Sequence, residues 1–423
     1  MKVLFIIEQC NPKWASVPLV GFNFYKSIRS FADTTLVTHG RNREGLEPFR
    51  SGHDIIYIDE SKFIRNYYRI TSRISSFSGV IWPLKHALTY PAYAEFNKMV
   101  FSMFRDKIES REYDVVHALT PILPRYPHSI VNACRTTPFI LGPVNGGIPY
   151  PEGFKKIARR EFSALNTLRV FSKILPDYAN SYKKADAVLS GSTYTKNMLQ
   201  KMFDLDKERL FLFPENGIEP NQFYPKEQKD NKIILELLFV GRLVPYKGAD
   251  MLIEAFYILN REVQMNCRLT IVGDGPELPR IKYLAEKYRL KSLINFTGWI
   301  SQKETADYYR KADLFCFPSV REFGGAVVLE AMSCGLPCII VDNGGIAEYT
   351  NDETGFKISP ISRDSVVRKL AENIEILFND RNLLAKMSES ALKHSKSFFW
   401  DSKAIQLLGI YENVIKNKRN KND

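Results

Sequence analysis

Apolar positions along the chain alternate between two rhythms. Short, nearly continuous apolar runs occur at Val3–Ile7, Thr35–Thr38, Ile55–Ile58, Val115–Leu119, Phe139–Val144 and Ala187–Ser190. Such runs suit strands buried on both faces of a parallel sheet. Stretches with helical spacing separate them, at 19–30 and around 93–110. After a further apolar run, RLFLF, comes a segment rich in Pro, Asn, Gly and Lys, and then the rhythm resumes. Leu235–Val240, Leu269–Val272, Ile294–Gly298, Asp313–Pro318 and Cys338–Val341 read as strands. The helix opening at Ala249 repeats Leu252, Ile253, Phe256 and Leu259 at helical intervals. Ser301 and Glu304 form a capping-box pair ahead of another helix. An aromatic-bearing helix at about 398–416 closes the pattern, with the tail KNKRNKND expected to fray. Strands alternating with helices predict an α/β chain of doubly wound parallel sheets.

The chain has 423 residues, which fits two domains better than one. The breaker-rich segment divides them. We expect a first domain over 1–214, a linker over 215–231, a second domain over 232–397, and a last segment, 398–423, whose helix packs back on the first domain. No apolar run approaches the ~20 residues of a membrane span, and MKVLFIIEQC reads as a first strand, not a targeting segment. Six scattered cysteines form no C-x-x-C pair and no disulfide pattern, which fits a reducing, cytoplasmic setting. No cluster has metal-ligand spacing, so no metal is expected.

The net charge of +12 is uneven. Residues 1–210 carry 30 Lys and Arg against 19 Asp and Glu, whereas residues 211–423 carry 29 against 28. Within the basic half, residues 62–86 interleave Lys62, Arg65, Arg69, Arg73, Lys85 and His86 with Phe63, Tyr67, Tyr68, Phe77 and Trp82, and no acid intervenes. That composition suits an anionic membrane surface. Nothing resembles a groove-reading or base-stacking module, so nucleic acid is not an expected partner.

The densest chemistry lies at 313–342. A strand ends at Pro318-Ser319, Glu322 follows, and Gly324 and Gly325 precede a helix that carries Glu330 and stops at Gly335. Glycines there expose the first amides of the helix, which with the dipole make an anion site. Two carboxylates framing an anion site suit a sugar nucleotide, with hydroxyls at both ends and phosphates between. Arg242 and Lys247 lie on the loop Gly241–Gly248 after another strand, where open α/β sheets bind ligands and where such side chains can grip phosphate. That loop lacks the spacing of a P-loop, and no G-x-G-x-x-G follows the first strand. His117, in DVVHALTP, and Gly142-Pro-Val-Asn-Gly-Gly147 stand at the ends of first-half strands.

The string P-S-x-x-E-F-G-G-x-x-x-L-E-A-M-x-C-G-x-P resembles the donor-site signature of family 4 retaining glycosyltransferases of the GT-B fold. G-R-L-V-x-x-K-G (241–248), V-G-D-G-P-E (272–277), F-T-G-W (296–299), G-G-I-x-E (344–348) and N-G-I-E (216–219) occur in that family's order. G-P-V-N-G-G looks like the version in some bacterial surface-polysaccharide enzymes. Where many members carry a Gly pair after the first strand, only Gly21 matches.

The resemblance implies two Rossmann-like domains facing across a cleft. It implies transfer of a sugar from a nucleoside-diphosphate sugar, UDP favoured over GDP, to a glycan or lipid-linked acceptor. No cofactor or metal is implied. Arg242 and Lys247 would neutralise the leaving diphosphate, aided by the amides of Gly324, Gly325 and Ala326. Glu322 would bind the donor sugar, and Glu330 the ribose. Gly241 and Gly273 would line the nucleotide site, and the backbone at Trp299 and Ile300 would hold the base. His117 would cross the cleft to the donor sugar, and Gly21, Asn145, Gly146 and Gly147 would shape the acceptor side. The implied setting is cytoplasmic, peripheral on the inner face of a membrane. Two rivals are a GT-B-like sugar-nucleotide epimerase and a non-catalytic partner of another transferase. The intact Glu pair argues against the first, and the presence of Arg242, Lys247, Glu322 and Glu330 together against the second.

Overall fold

The computed structural model describes residues 1–50, 55–74, 82–161, 172–226 and 233–422. Two parallel sheets organise them, each in its own compact unit.

The first unit takes in Met1–Gly147, Phe162–Glu215 and Trp400–Asp423. Its strands are β1 (Lys2–Ile7), β2 (Asp33–His39), β3 (Ile55–Ile58), β4 (Val115–Thr120), β5 (Phe139–Val144), β6 (Ala187–Ser190) and β7 (Leu210–Leu212). They lie in the order β3-β2-β1-β4-β5-β6-β7. Alternation along each strand feeds two separate cores. Leu4, Ile6, Val37 and Val116 point to one face, where Phe96, Val100 and Phe104 of the helix Trp82–Glu109 cover them. Val3, Phe5, Ile7 and Leu36 point to the other, beneath Phe24 and Tyr25 of the helix Val17–Ile28 and Leu407 and Tyr411 of the last helix, Trp400–Asn422.

Two expectations shift here. The helix expected to begin near residue 93 starts at Trp82 and runs on through Pro91, at the cost of one bond to the carbonyl four residues earlier. The tail expected to fray is helical to Asn422, and Lys418 Nζ is held 3.0 Å from Asp186 Oδ1.

The second unit is Ile148–Glu161 with Asn216–Phe399. Its strands are β8 (Leu235–Val240), β9 (Cys267–Val272), β10 (Ile294–Gly298), β11 (Leu314–Phe317), β12 (Cys338–Val341) and β13 (Gly355–Ile358), ordered β10-β9-β8-β11-β12-β13. The strand β13 is not among those that the apolar runs predict, since GFKI puts Lys357 in the open at the edge of the sheet. Residues 148–161 were expected within the first domain but belong here. Phe154 is buried in this unit's core, and Arg160 pairs with Glu277. None of the six cysteines is in a disulfide, and all are buried. Among the described residues no helix is long and apolar enough to cross a membrane.

Candidate functional site

In the second sheet, chain order reverses direction between β8 and β11. Ligands of open α/β sheets bind at the carboxyl ends of the strands at such a point. Here that edge is a set of loops stitched together by backbone bonds. Leu243 N donates to Asp274 O at 2.8 Å, Val320 N to Tyr246 O at 2.9 Å, and Gly345 N to Glu322 O at 2.9 Å. Two of these approaches need glycine. A Cβ on Gly273, at φ +135°, would stand 2.0 Å from Gly241 O, and one on Gly344, at φ +105°, would stand 1.9 Å from Glu322 O. Loops from β8, β9, β11 and β12 are thereby fixed to one another before any ligand arrives.

On this frame Lys247 Nζ bonds Glu322 Oε2, and each side chain is only 13% exposed. The ammonium also lies 4.9 Å from the ring centre of Phe317. Ser319 Oγ donates to the same Glu322 oxygen at 3.3 Å. Just beyond, Gly325 takes the left-handed N-cap position (φ +61°) of the helix Ala326–Ser333. A glycine cap offers no side-chain oxygen to the first amides of the helix. Opposite charges, a fixed carboxylate and a helix start thus occupy one loop cluster. An anion can meet the ammonium and the amides, while hydroxyls can meet the carboxylate.

Arg242 is exposed and donates to the Tyr246 hydroxyl at 3.3 Å. Glu161 faces it. Burial pushes the Glu161 carboxyl above its usual range, while Arg242, Arg160 and Arg321 pull it back. Glu330 is 9% exposed. Its oxygens accept from Gln302 Nε2 at 2.9 Å and from the Tyr309 hydroxyl at 3.0 Å. Burial raises this carboxyl, and those two bonds partly offset the rise. A carboxylate oxygen has lone-pair capacity for more than one such bond. Trp299 is 76% exposed beside a half-buried Ile300. Ser319, Gln302, Tyr309 and Glu161 were not foreseen. Gln302 and Tyr309 stand 28 and 21 residues from Glu330 in the chain, and no local spacing marks them. Among the described residues no group of three His, Cys, Asp or Glu side chains is placed to hold a metal ion.

First-unit candidates fare differently. His117 is fully buried, stacked 4.9 Å from Phe5. Its ring nitrogens lie 2.6 Å from the Tyr411 hydroxyl and 2.6 Å from Gly142 O. Burial lowers its pKa to about 4. It is a neutral core residue with both nitrogens occupied, not a contact for a donor sugar. Asn145 is also internal. Its amide nitrogen binds both oxygens of Glu215 (3.1 and 3.0 Å), and its oxygen accepts from Ser192 and Thr195. Gly146 is buried and bonded through its backbone to Thr195, whereas Gly147 is half-buried. Gly21 sits inside the helix Val17–Ile28, not on a loop, and a Cβ there would stand 2.3 Å from Gln9 O. It is a packing glycine.

Of the basic-aromatic stretch, Lys62–Ile74 is a helix presenting Lys62, Phe63, Arg65, Arg69 and Ile70 to solvent. The side chains of Arg73, Phe77, Trp82, Lys85 and His86 lie outside the described residues.

Residues 220–394 match the family model for glycosyl transferases group 1. A D-inositol 3-phosphate glycosyltransferase of Corynebacterium glutamicum is 32% identical over 187 residues, covering 43% of this chain and 44% of that protein. The chain spans about half the length of the curated relatives it matches. Two solved structures share the fold over nearly the whole chain. Anabaena HepE in complex with UDP has a TM-score of 0.63 at 16% identity, with 98% of this chain and 100% of that one covered. WaaG, a glycosyltransferase involved in lipopolysaccharide biosynthesis, has a TM-score of 0.58 at 19% identity, with 97% and 99% covered. Both units therefore share the architecture of GT-B glycosyltransferases.

Proposed function

We propose that the chain, whose residues 220–394 match the glycosyl transferases group 1 model, moves a sugar from a nucleoside-diphosphate sugar to a glycan or lipid-linked acceptor, with retention at the anomeric carbon as in family 4. The observation that carries this reading is the Lys247–Glu322 pair beside the glycine-capped helix at the switch point of the second sheet. Lys247 and Arg242 take the diphosphate and neutralise it as the glycosidic bond breaks, and the amides at Gly324–Ala326 share that charge. Glu322 accepts from donor-sugar hydroxyls. Glu330, steadied by Gln302 and Tyr309, accepts from the ribose, and the backbone at Trp299–Ile300 meets the base.

UDP is the nucleotide we favour; HepE was solved with it. Two cationic side chains and a helix end supply positive charge of the kind a divalent ion supplies elsewhere, so turnover in chelator is the expected behaviour. The acceptor belongs to surface-polysaccharide or glycoconjugate synthesis. The exposed helix Lys62–Ile74 holds the protein to an anionic membrane, with cytoplasmic residence.

A thermal-shift panel of UDP, GDP and ADP in EDTA tests the reading. At a hundred times Kd a bound nucleotide adds about 2.7 kcal/mol of stability, enough to raise Tm by several degrees. A shift with UDP supports the proposal. Shifts with no nucleotide would refute the donor site.

A further inference from the structure

The first sheet has its own switch point, between β1 and β4. A cavity of about 370 Å³ sits there, bounded by Glu8 and Gln9 after β1 and by Pro121–Leu123 after β4. Ligands favour this position in such sheets, and sites for small molecules span roughly 300–1,000 Å³. Trp14, Tyr68, Tyr93 and Tyr126 supply aromatic walls, and Thr89 supplies a hydroxyl.

Glu8 is the only carboxylate among the described lining residues, and it is 7% exposed. The Asn42 amide fixes its peptide carbonyl at 2.8 Å. Among the described residues no cation pairs with its carboxylate. The neighbouring Arg41 is already committed. Its guanidinium donates to Glu60 at 2.6 Å and lies 3.8 Å from the Tyr68 ring centre. A carboxylate withdrawn from water without a counter-ion is costly unless hydrogen-bond donors meet it. Sugar hydroxyls are such donors. The C–H faces of a pyranose also suit the negative faces of aromatic rings. A phosphate would meet the Glu8 carboxylate and find Arg41 occupied.

We infer that this cavity binds a neutral pyranose, with Glu8 accepting from two of its hydroxyls. Its role as the acceptor's sugar ring rests on the glycosyl-transfer reading above.

The test uses the full chain and four probes: methyl glucoside, methyl N-acetylglucosaminide, glucose 6-phosphate and glucosamine. Binding is followed by saturation-transfer NMR with titration, and the UDP shift is measured on the same samples. A neutral glycoside should bind, and Glu8→Gln should weaken it roughly ten- to a hundredfold, the range of a lost charge-assisted bond. Glu8→Gln should leave the UDP shift unchanged. Trp14→Ala, at a side chain 45% exposed, should weaken the same glycoside without threatening the fold.

Equal or tighter binding of glucose 6-phosphate would overturn the inference. So would glucosamine binding that exceeds the neutral sugars and vanishes in Glu8→Gln, which marks an ammonium site. No glycoside binding with the UDP shift intact would sink the inference and leave the transferase reading standing. Loss of the UDP shift in the parent protein would sink that reading, and the acceptor role with it.

Discussion

Replacing Lys247 with alanine removes one ammonium that has two jobs. In the resting structure it neutralises Glu322, and both side chains are 13% exposed. Stranding a fully buried carboxylate costs about 3–5 kcal/mol. The remaining exposure of Glu322 and its bond from Ser319 at 3.3 Å bring this down to about 1–2 kcal/mol. In a chain of this size that lowers Tm by only a few degrees. During transfer the same ammonium is proposed to meet the diphosphate as charge builds on it. Removing one preorganised donor to a developing charge costs about 2.7–4 kcal/mol of barrier, or a 10²–10³-fold loss of kcat. The assay is the initial rate of nucleotide release from the donor sugar at a temperature where circular dichroism shows the variant folded, with Tm measured alongside. Lys247→Ala combined with Glu322→Gln should recover the lost stability, because no carboxylate is left unpaired, and should not recover the rate. An unchanged rate in Lys247→Ala refutes the phosphate role. A rate that returns with stability in the double variant would make Lys247 a structural counter-ion.

Gly344→Ala forces a Cβ to within 1.9 Å of Glu322 O at φ +105°; the strain, about 1–3 kcal/mol, should lower the melting temperature and weaken the nucleotide shift, and a melt and affinity like the parent's would show that the Glu322 loop moves freely. Burial holds His117 near pKa 4 and His128 near 3, against about 6.5 in an unfolded chain. The unfolded state therefore takes the proton first. Stability is complete above about pH 6.5 and falls as pH drops toward 4, by roughly 3 kcal/mol for His117 alone. Urea melts at pH 7 and pH 5 measure the slope, and an identical slope in His117→Gln would remove His117 as its source. Changing Lys62, Arg65 and Arg69 to Glu should reduce co-sedimentation with phosphatidylserine vesicles at least a hundredfold, since each basic residue near such a surface contributes about 1 kcal/mol. Failure of the parent protein to bind these vesicles would end the membrane proposal.

The second unit was legible because its site is local. Glu322, the Gly pair and Glu330 fall within one strand-loop-helix, and a buried parallel strand advertises itself as an unbroken apolar run. The supports of that site were not legible. Gln302 and Tyr309 reach Glu330 only once the helix Gln302–Lys311 is packed beside it. Residues 148–161 gave no composition break to show that they leave the first unit for the second.

His117 and Glu8 show what a strand-end argument needs beyond the sequence. Both belong to chain that runs to the carboxyl edge of the first sheet, and on sequence alone the rule that ligands bind there favours the histidine. The ladder separates them. His117 is paired on both sides, with Phe5 of β1 and Ile140 of β5. A residue inside a parallel ladder sends its side chain to a sheet face, and here that face is covered by a helix carrying Tyr411, 294 residues away. Glu8 lies one residue past the last β1 pairing, Ile7 with Thr120. Its side chain is released from the pleat and reaches the cavity that the loops enclose. The edge rule thus concerns residues beyond the last ladder pair, not those still inside the ladder. Where the ladder stops depends on which strand becomes the neighbour of β1, and that strand lies more than a hundred residues downstream.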